Sequence, residues 1–293
     1  MSYGKYRPIS KAVRILILAI LLISISGCGS KEKVSELKKK PEITKFEKWT
    51  QIGNDIYVIT SDFYLSNMII VASGTDAVLI DTGMDDKDLL TIKELLALKG
   101  LELKSVIITH MHQDHTANLY ELKGKEVTVY TPDNTSDEQI IKYGDKSLKL
   151  FFTEGHYRPK GHISVELINE KILIAGDILC NNIIPPLSSG NGDMTELMST
   201  LKKLEERNYS VIIPGHGEII ENELLFQRNR GYLKSAEKLV KDIIEAGGVM
   251  RDLRKIKLTD CIEDTSYLFA ERLDFWHQRT LETIYVQLKR GAE

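Results

Sequence analysis

Several short apolar runs in this chain finish alike. "KSVIITH", "KILIAGDILC" and "YSVIIPGHG" are β-branched or aliphatic up to a turn that bears histidine or aspartate, and "FFTEGH" ends on a glycine-preceded His156. Apolar runs of this length, bounded by turn signals, read as strands, and one without polar alternation reads as buried on both faces. Such strands belong to layered α/β folds, which bind ligands beyond the C-terminal ends of their strands. Glycine at these ends lets the backbone turn sharply, so that the polar residue can aim into a common cleft. One such histidine could arise by chance. A repeat at nearly every strand end points to a site.

The remaining pattern supports the same class. "DIYVIT", "SNMIIVAS" and "DAVLIDTG" are further strands. "DDKDLLTIKELLALKG" predicts an amphipathic helix, capped by Asp85 or Asp86 and stopped by Gly100, with Leu89, Leu90, Ile92, Leu95 and Leu96 inward. Beyond residue 220 the spacing predicts helices. The last carries Leu273, Phe275, Trp276, Leu281, Ile284, Tyr285 and Leu288, and His277 is expected on its exposed side.

"HMHQDH" places three of the seven histidines and Asp114 within six positions. His110 and His112, two apart at a strand end, leave on the same side and can grip one ion. Asp114 and His115 follow as the chain turns into "TANLYELKG", a predicted helix, and could serve a second ion. An ion takes about four ligands, so further donors must come from elsewhere. His156, Asp177 and His216 stand at the other strand ends. His162 reads as structural, and Asp81 as a hydrogen-bond acceptor beside the histidines. Tyr157, Arg158 and Lys160 share the His156 loop, where solvation is the bland reading and an anionic substrate the sharper one. "NNIIPPLSSGNGDM", rich in turn residues, reads as cleft wall.

Composition narrows the function. A formal charge of -3 with mixed signs excludes a basic nucleic-acid footprint, so no nucleic-acid partner is expected. Three cysteines are too few for a disulfide scaffold; Cys180 reads as a small buried residue, with pairing to Cys261 as the lesser alternative. The N-terminus differs in kind. Lys5, Arg7, Lys11 and Arg14 precede "ILILAILLISIS" and then Gly27-Cys28. A basic region, a short apolar run and small residues describe an export signal. The cysteine resembles a bacterial lipobox, which implies cleavage before Cys28, lipid (palmitate) on Cys28, and an extracytoplasmic protein anchored to a membrane. Residues 1–28 are therefore read as a lipoprotein signal segment and 29–45 as a flexible charged tether. The domain is read as 46–293, including a helical part at 220–293.

"LIDTGMD", "THMHQDHTAN", "TEGHYRPKGH", "AGDIL" and "IPGHGE" together resemble the successive motifs of the metallo-β-lactamase-fold hydrolases, over residues 50 to 220 or so. The resemblance implies a four-layer αββα sandwich with added C-terminal helices, which in the family cover the cleft or add to a dimer surface; core packing is the alternative for the aromatic stripe here. It implies two divalent ions, Zn2+ first and Fe or Mn as alternatives. His110, His112 and His156 would hold the first ion, Asp114, His115 and His216 the second, and Asp177 would bridge them. Asp114 would orient a hydroxide held between the ions. The reaction implied is hydrolysis of a small-molecule ester, thioester, lactone or amide-like bond, the rival being a redox or binding protein on the same scaffold. His115 and Asp177 stand where cysteine-using lactamases carry Arg and Cys, which argues against that subclass.

Overall fold

The computed structural model describes residues 40–124, 126–157, 161–185, 187, 192–220, 224–268 and 273–291. The signal segment, most of the tether, Cys28, Arg158 and Lys160 lie outside the described residues.

The first sheet contains β1 (Ile43–Lys45), β2 (Thr50–Ile52), β3 (Ile56–Thr60), β4 (Asn67–Ser73), β5 (Asp76–Ile80), β6 (Glu102–Ile107) and β7 (Thr128–Tyr130), paired in that order. The second runs β12–β11–β10–β9–β8, where β8 is Gln139–Tyr143, β9 Lys146–Thr153, β10 His162–Leu167, β11 Ile172–Cys180 and β12 Val211–His216. The β5–β6, β6–β7 and β11–β12 pairs are parallel. The region expected to be tether through residue 45 contributes its last residues to β1, because Ile43–Lys45 pair with Thr50–Ile52.

Alternation along the strands builds the layers. In β4, Ile69 and Val71 meet the opposite sheet, whereas Met68, Ile70 and Ala72 point outward. In β11, Ile172 and Ile174 face the first sheet, whereas Leu173 and Ala175 face away. Both faces are apolar, so both sheets require helical cover. Helix α1 (Asp86–Lys99) covers the first sheet with Leu89, Ile92 and Leu95. Asp85 is its N-cap, accepting from the amides of Lys87 and Asp88, and Gly100 closes it at φ 63°. Leu90, expected inward, is 59% exposed, because it sits a quarter-turn off the buried stripe.

The "TANLYELKG" helix is two short pieces, α2 (Gln113–Thr116) and α3 (Leu119–Leu122). The outer face of the second sheet is covered by α4 (Met194–Glu205), α5 (Leu224–Glu245), a 3-10 turn at Met250–Lys255, α6 (Leu258–Cys261) and α7 (Leu273–Arg290). This is the αββα sandwich with C-terminal helices. Cys180 and Cys261 are both buried and free, so no disulfide joins them. His277 is buried rather than exposed: its Nδ1 lies 2.9 Å from the Tyr232 hydroxyl and its Nε2 3.2 Å from the Ile256 carbonyl. The helix turns that side onto α5 and the 3-10 turn.

Two latches join the sheets at one end. Asn67 Nδ2 donates to the carbonyls of Pro214 (2.9 Å) and Gly217 (2.8 Å), and the Ile163 amide donates to Thr109 O at 2.7 Å. Asn67→Ala removes the donor from two buried carbonyls, so it should lower stability by about 1–3 kcal/mol. Urea unfolding of the full-length protein checks this, and an unchanged midpoint would contradict the latch.

Candidate metal centre

The latched edge is where the predicted residues meet. His110 follows β6, and His112 is the residue before α2. Asp114 and His115 lie in the first turn of α2, His156 follows β9, and His216 ends β12, whereas Asp177, expected where its strand ends, lies inside β11 at a register shift, three residues before Cys180. All seven converge, in two sets: His110, His112, His156 and Asp177, and beside them Asp114, His115 and His216.

Within the first set His110 Nε2 lies 2.8 Å from His112 Nδ1 and 3.3 Å from His156 Nε2, with His112 Nδ1 and His156 Nε2 at 3.2 Å. Asp177 Oδ2 is 3.6 Å from His110 Nε2 and 3.4 Å from His156 Nε2. In the second, Asp114 Oδ2 is 3.5 Å from both His115 Nε2 and His216 Nε2. Asp177 reaches this set too, Oδ2 at 3.1 Å from His216 Nε2 and Oδ1 at 3.2 Å from His115 Nε2. Ligands about 2.0–2.1 Å from a tetrahedral ion stand about 3.3 Å apart. The donors therefore have the spacing of coordination polyhedra.

Tautomers follow from the partners behind the rings. His216 Nδ1 must donate to Tyr64 O (2.8 Å), since a carbonyl only accepts. His115 Nδ1 donates to Asp81 Oδ2 at 2.8 Å. Thr109 Oγ1 gives its hydrogen to Asp81 Oδ2, so it accepts from His110 Nδ1 at 3.0 Å. In the neutral form of each ring Nε2 therefore carries the lone pair, directed toward the site. His115 Nε2 and Asp177 Oδ1 are buried facing each other at 3.2 Å, and neither has any other hydrogen-bond partner among the described residues. Orphaned atoms of this kind call for an unseen partner, and the donor set suits a divalent cation. The cluster is able to bind metal.

Electrostatics agree. Burial opposes charge on His115 and His216, but the carboxylates of Asp177, Asp81 and Asp114 around His115, and of Asp177 and Asp114 around His216, outweigh it and raise both. Burial alone would raise Asp177, yet His216, His115 and His110 hold it well below the usual carboxylate range. Burial pushes His156 down to about 4 and His110 well below its ordinary value, each aided by neighbouring imidazoles.

His162 is held apart from the donors. It accepts the Asp177 amide on Nε2 at 3.1 Å, while Nδ1 lies 2.8 Å from Thr153 Oγ1. Its ring stacks on His110 at 5.1 Å. Asp81 stands behind His115 and Thr109 at φ 60°, a conformation that a non-glycine residue adopts only when its surroundings compel it. Gly176 (φ 55°) and Gly215 are required by close approach: a Cβ would strike His162 at the first and Asp177 at the second.

A cavity of about 200 Å³ opens over the donors, lined by Tyr64, His112, Gln113, Asp114, Asp177, Ile183, His216 and Trp276. Tyr157 covers the donors from another side, its ring edge-on to His112 at 4.9 Å. Ile183 lines the cavity from the segment expected to be cleft wall, whereas sequence reasoning missed Tyr64, Thr109 and the position of Trp276. Thr109, directly before His110, was the one with a local signal. Nothing near Tyr64 or Trp276 in the chain points to the cluster.

To present Nε2, His115 and His216 must lose the protons that raised pKa values hold on them. Zinc uptake by the metal-free protein should release protons near neutral pH and weaken as pH falls. Calorimetry in buffers of differing ionisation enthalpy measures this, and zero release would contradict the protonation assigned. Asp81→Asn should weaken zinc binding about 10–100-fold in the same titration.

A profile of the metallo-beta-lactamase superfamily matches residues 61–138 and 129–216, more than half of the 293-residue chain. The beta-lactamase-like protein 2 homolog of Caenorhabditis elegans is 24% identical over 224 residues, covering 70% of this chain and 71% of that protein. An atrochrysone carboxyl ACP thioesterase of Aspergillus fumigatus is 27% identical over 170 residues, 54% of this chain; the chain spans 52% of that relative's length. Among solved structures, a metallo-beta-lactamase family protein from Thermus thermophilus superposes with a TM-score of 0.60 at 15% identity, covering 81% of this chain and 94% of the other, a likeness of fold. With the motif order, the layers and the matched region in agreement, the chain belongs to the metallo-beta-lactamase superfamily and is a metal-dependent hydrolase of that superfamily.

Proposed function

We propose that the chain is a dinuclear hydrolase of a small ester, thioester, lactone or amide-like bond, held outside the cytoplasm by a lipid on Cys28. One observation carries the dinuclear reading. The Asp177 carboxylate touches both donor sets, with Oδ2 near His110, His156 and His216 and Oδ1 near His115. A single buried carboxylate so placed suits a bridge between two cations. Nitrogen and oxygen donors at tetrahedral spacing favour zinc over iron or manganese.

When bound, two divalent ions would supply an acidified water and an electrophile for the carbonyl oxygen. The chain's own residues do the rest. Asp81, Thr109 and the Tyr64 carbonyl hold the Nδ1 protons and orient three rings. Asp114, 17% exposed and lining the cavity, is placed to take a proton from water and return it to the leaving group. Asp177 and His162, both buried, fix geometry rather than exchange protons with solvent. The small cavity suits a small-molecule substrate, and the thioesterase among the relatives supports the acyl-ester and thioester side of the class.

Zinc-loaded, desalted full-length protein should carry about two ions per chain by elemental analysis. A value near one would end the dinuclear reading, and iron or manganese in protein purified without added metal would displace zinc. His112→Ala should lower hydrolysis of a chromogenic ester and thioester panel by at least about 100-fold, since it removes a metal ligand. In bacterial cells, labelled palmitate should enter the wild type and not Cys28→Ala; equal labelling would sink the anchor.

A further inference from the structure

The cavity above the donors has two unlike sides. Asp114, Asp177 and His216 form one, and Tyr64, Ile183 and Trp276 the other. Trp276 belongs to α7, outside residues 61–216 that match the superfamily profile. An aromatic residue on an amphipathic helix is ordinarily core, and Trp276 does pack against the core on one side, yet it also lines the cavity. Trp276, Thr280, Thr283 and Gln287 are spaced by four, three and four, which places them on one face. That face is fastened to the segment after Asp177. Thr280 Oγ1 accepts from the Leu187 amide (3.3 Å), and Thr283 Oγ1 donates to the Leu187 carbonyl (3.1 Å). Gln287 accepts from the Met194 amide (3.1 Å) and donates to Gly192 O (2.6 Å). The top of the same face carries the half-buried indole over the catalytic edge.

Tyr64 meets Trp276 edge to face, with ring centroids 5.6 Å apart at 81°. Phe63 and Phe275, 40% and 48% exposed, extend the aromatic surface outward from Tyr64 and Trp276. Tyr64 is held at φ 57° by the bridge of its loop to β12, and its carbonyl accepts a hydrogen bond from His216 Nδ1. The apolar wall is thus built into the same framework as the donors. About 200 Å³ is slightly more than an apolar cavity of about 150 Å³ known to hold benzene.

We propose that Trp276, with Tyr64 and Ile183, forms a specificity wall that selects substrates carrying one apolar ring next to the scissile bond. What the cavity does to its ligand rests on the hydrolase reading; what it binds does not. The wall discriminates by desolvating the ring, an effect that for small apolar increments amounts to roughly 10–200-fold in kcat/KM.

Two measurements test it. Trp49→Phe leaves Trp276 as the single indole of the full-length chain, which has two. Its emission, titrated with the neutral quencher 4-nitrobenzyl alcohol, should fall along a saturating curve that Tyr64→Ala weakens. Quenching that stays linear and collisional overturns the wall, whether or not the protein hydrolyses anything. Second, the zinc-loaded wild type, followed by acid release at constant pH, should prefer methyl phenylacetate to methyl acetate. Trp276→Ala should lower that kcat/KM ratio tenfold or more, and Trp276→Phe, which keeps a ring, should retain most of it. A ratio that Trp276→Ala leaves unchanged overturns the proposal. Saturable quenching without hydrolysis of either ester would support the wall and count against the hydrolase reading.

Discussion

The buried Asp177 carboxylate is the group around which the rest is arranged. An ion stripped of water is costly unless charges or hydrogen bonds replace the solvent. Asp177 is 2% exposed, and most of what surrounds it is imidazole. Protons on His115 and His216 offer partial compensation, and cations offer more. Its amide is tied to His162, and glycines at 176 and 215 leave room for its backbone and carboxylate. The same desolvation that would penalise an unpaired carboxylate would strengthen its attraction for a cation.

Neither sheet contains the centre. The first delivers His110, His112, Asp114 and His115 from the end of β6, and the second delivers His156, Asp177 and His216 from β9, β11 and β12. Donor spacings near 3.3 Å demand that the sheets be held in register at this edge. Asn67 and the Ile163–Thr109 bond do that by hydrogen bonds, which are more directional than the apolar contacts deeper in the sandwich. Strain gathers at the same place. Tyr64, Leu65 and Asp81 all have left-handed backbones, each costing about 1–3 kcal/mol, and Tyr64 and Asp81 hold the Nδ1 proton of a ligand-candidate histidine. Packing elsewhere offsets that cost.

The C-terminal helices show how one amphipathic helix can serve two surfaces. Leu281 and Ile284 join the core over the second sheet, and His277 is buried against Tyr232 and Ile256. About a quarter-turn away, Trp276 and the polar stripe below it fasten α7 to the segment following Asp177. A hydropathy pattern reports that one face is apolar. It does not report which neighbour each part of that face will meet, which is why His277 reads as exposed and why the pattern does not show that Trp276 packs against the core and lines the cavity at once.

The amino-acid sequence alone determined the strands and the candidate donors that cluster beyond them. Apolar runs ending in turns locate β6, β9, β11 and β12, and the period of two along β4 and β11 makes both faces of each sheet apolar. The histidines and aspartates at the strand ends are legible because the chemistry needs those residue types, and a strand end is a position that local pattern reveals. Only the tertiary structure decided what lies behind and above them. The Tyr64 carbonyl, the Thr109 hydroxyl, the latch at Asn67 and the indole of Trp276 act through distance and direction across segments far apart in the chain. Hydrogen bonding falls away within an ångström of its optimum, so no periodicity in a linear chain can encode which of many similar polar or aromatic side chains will close such a contact.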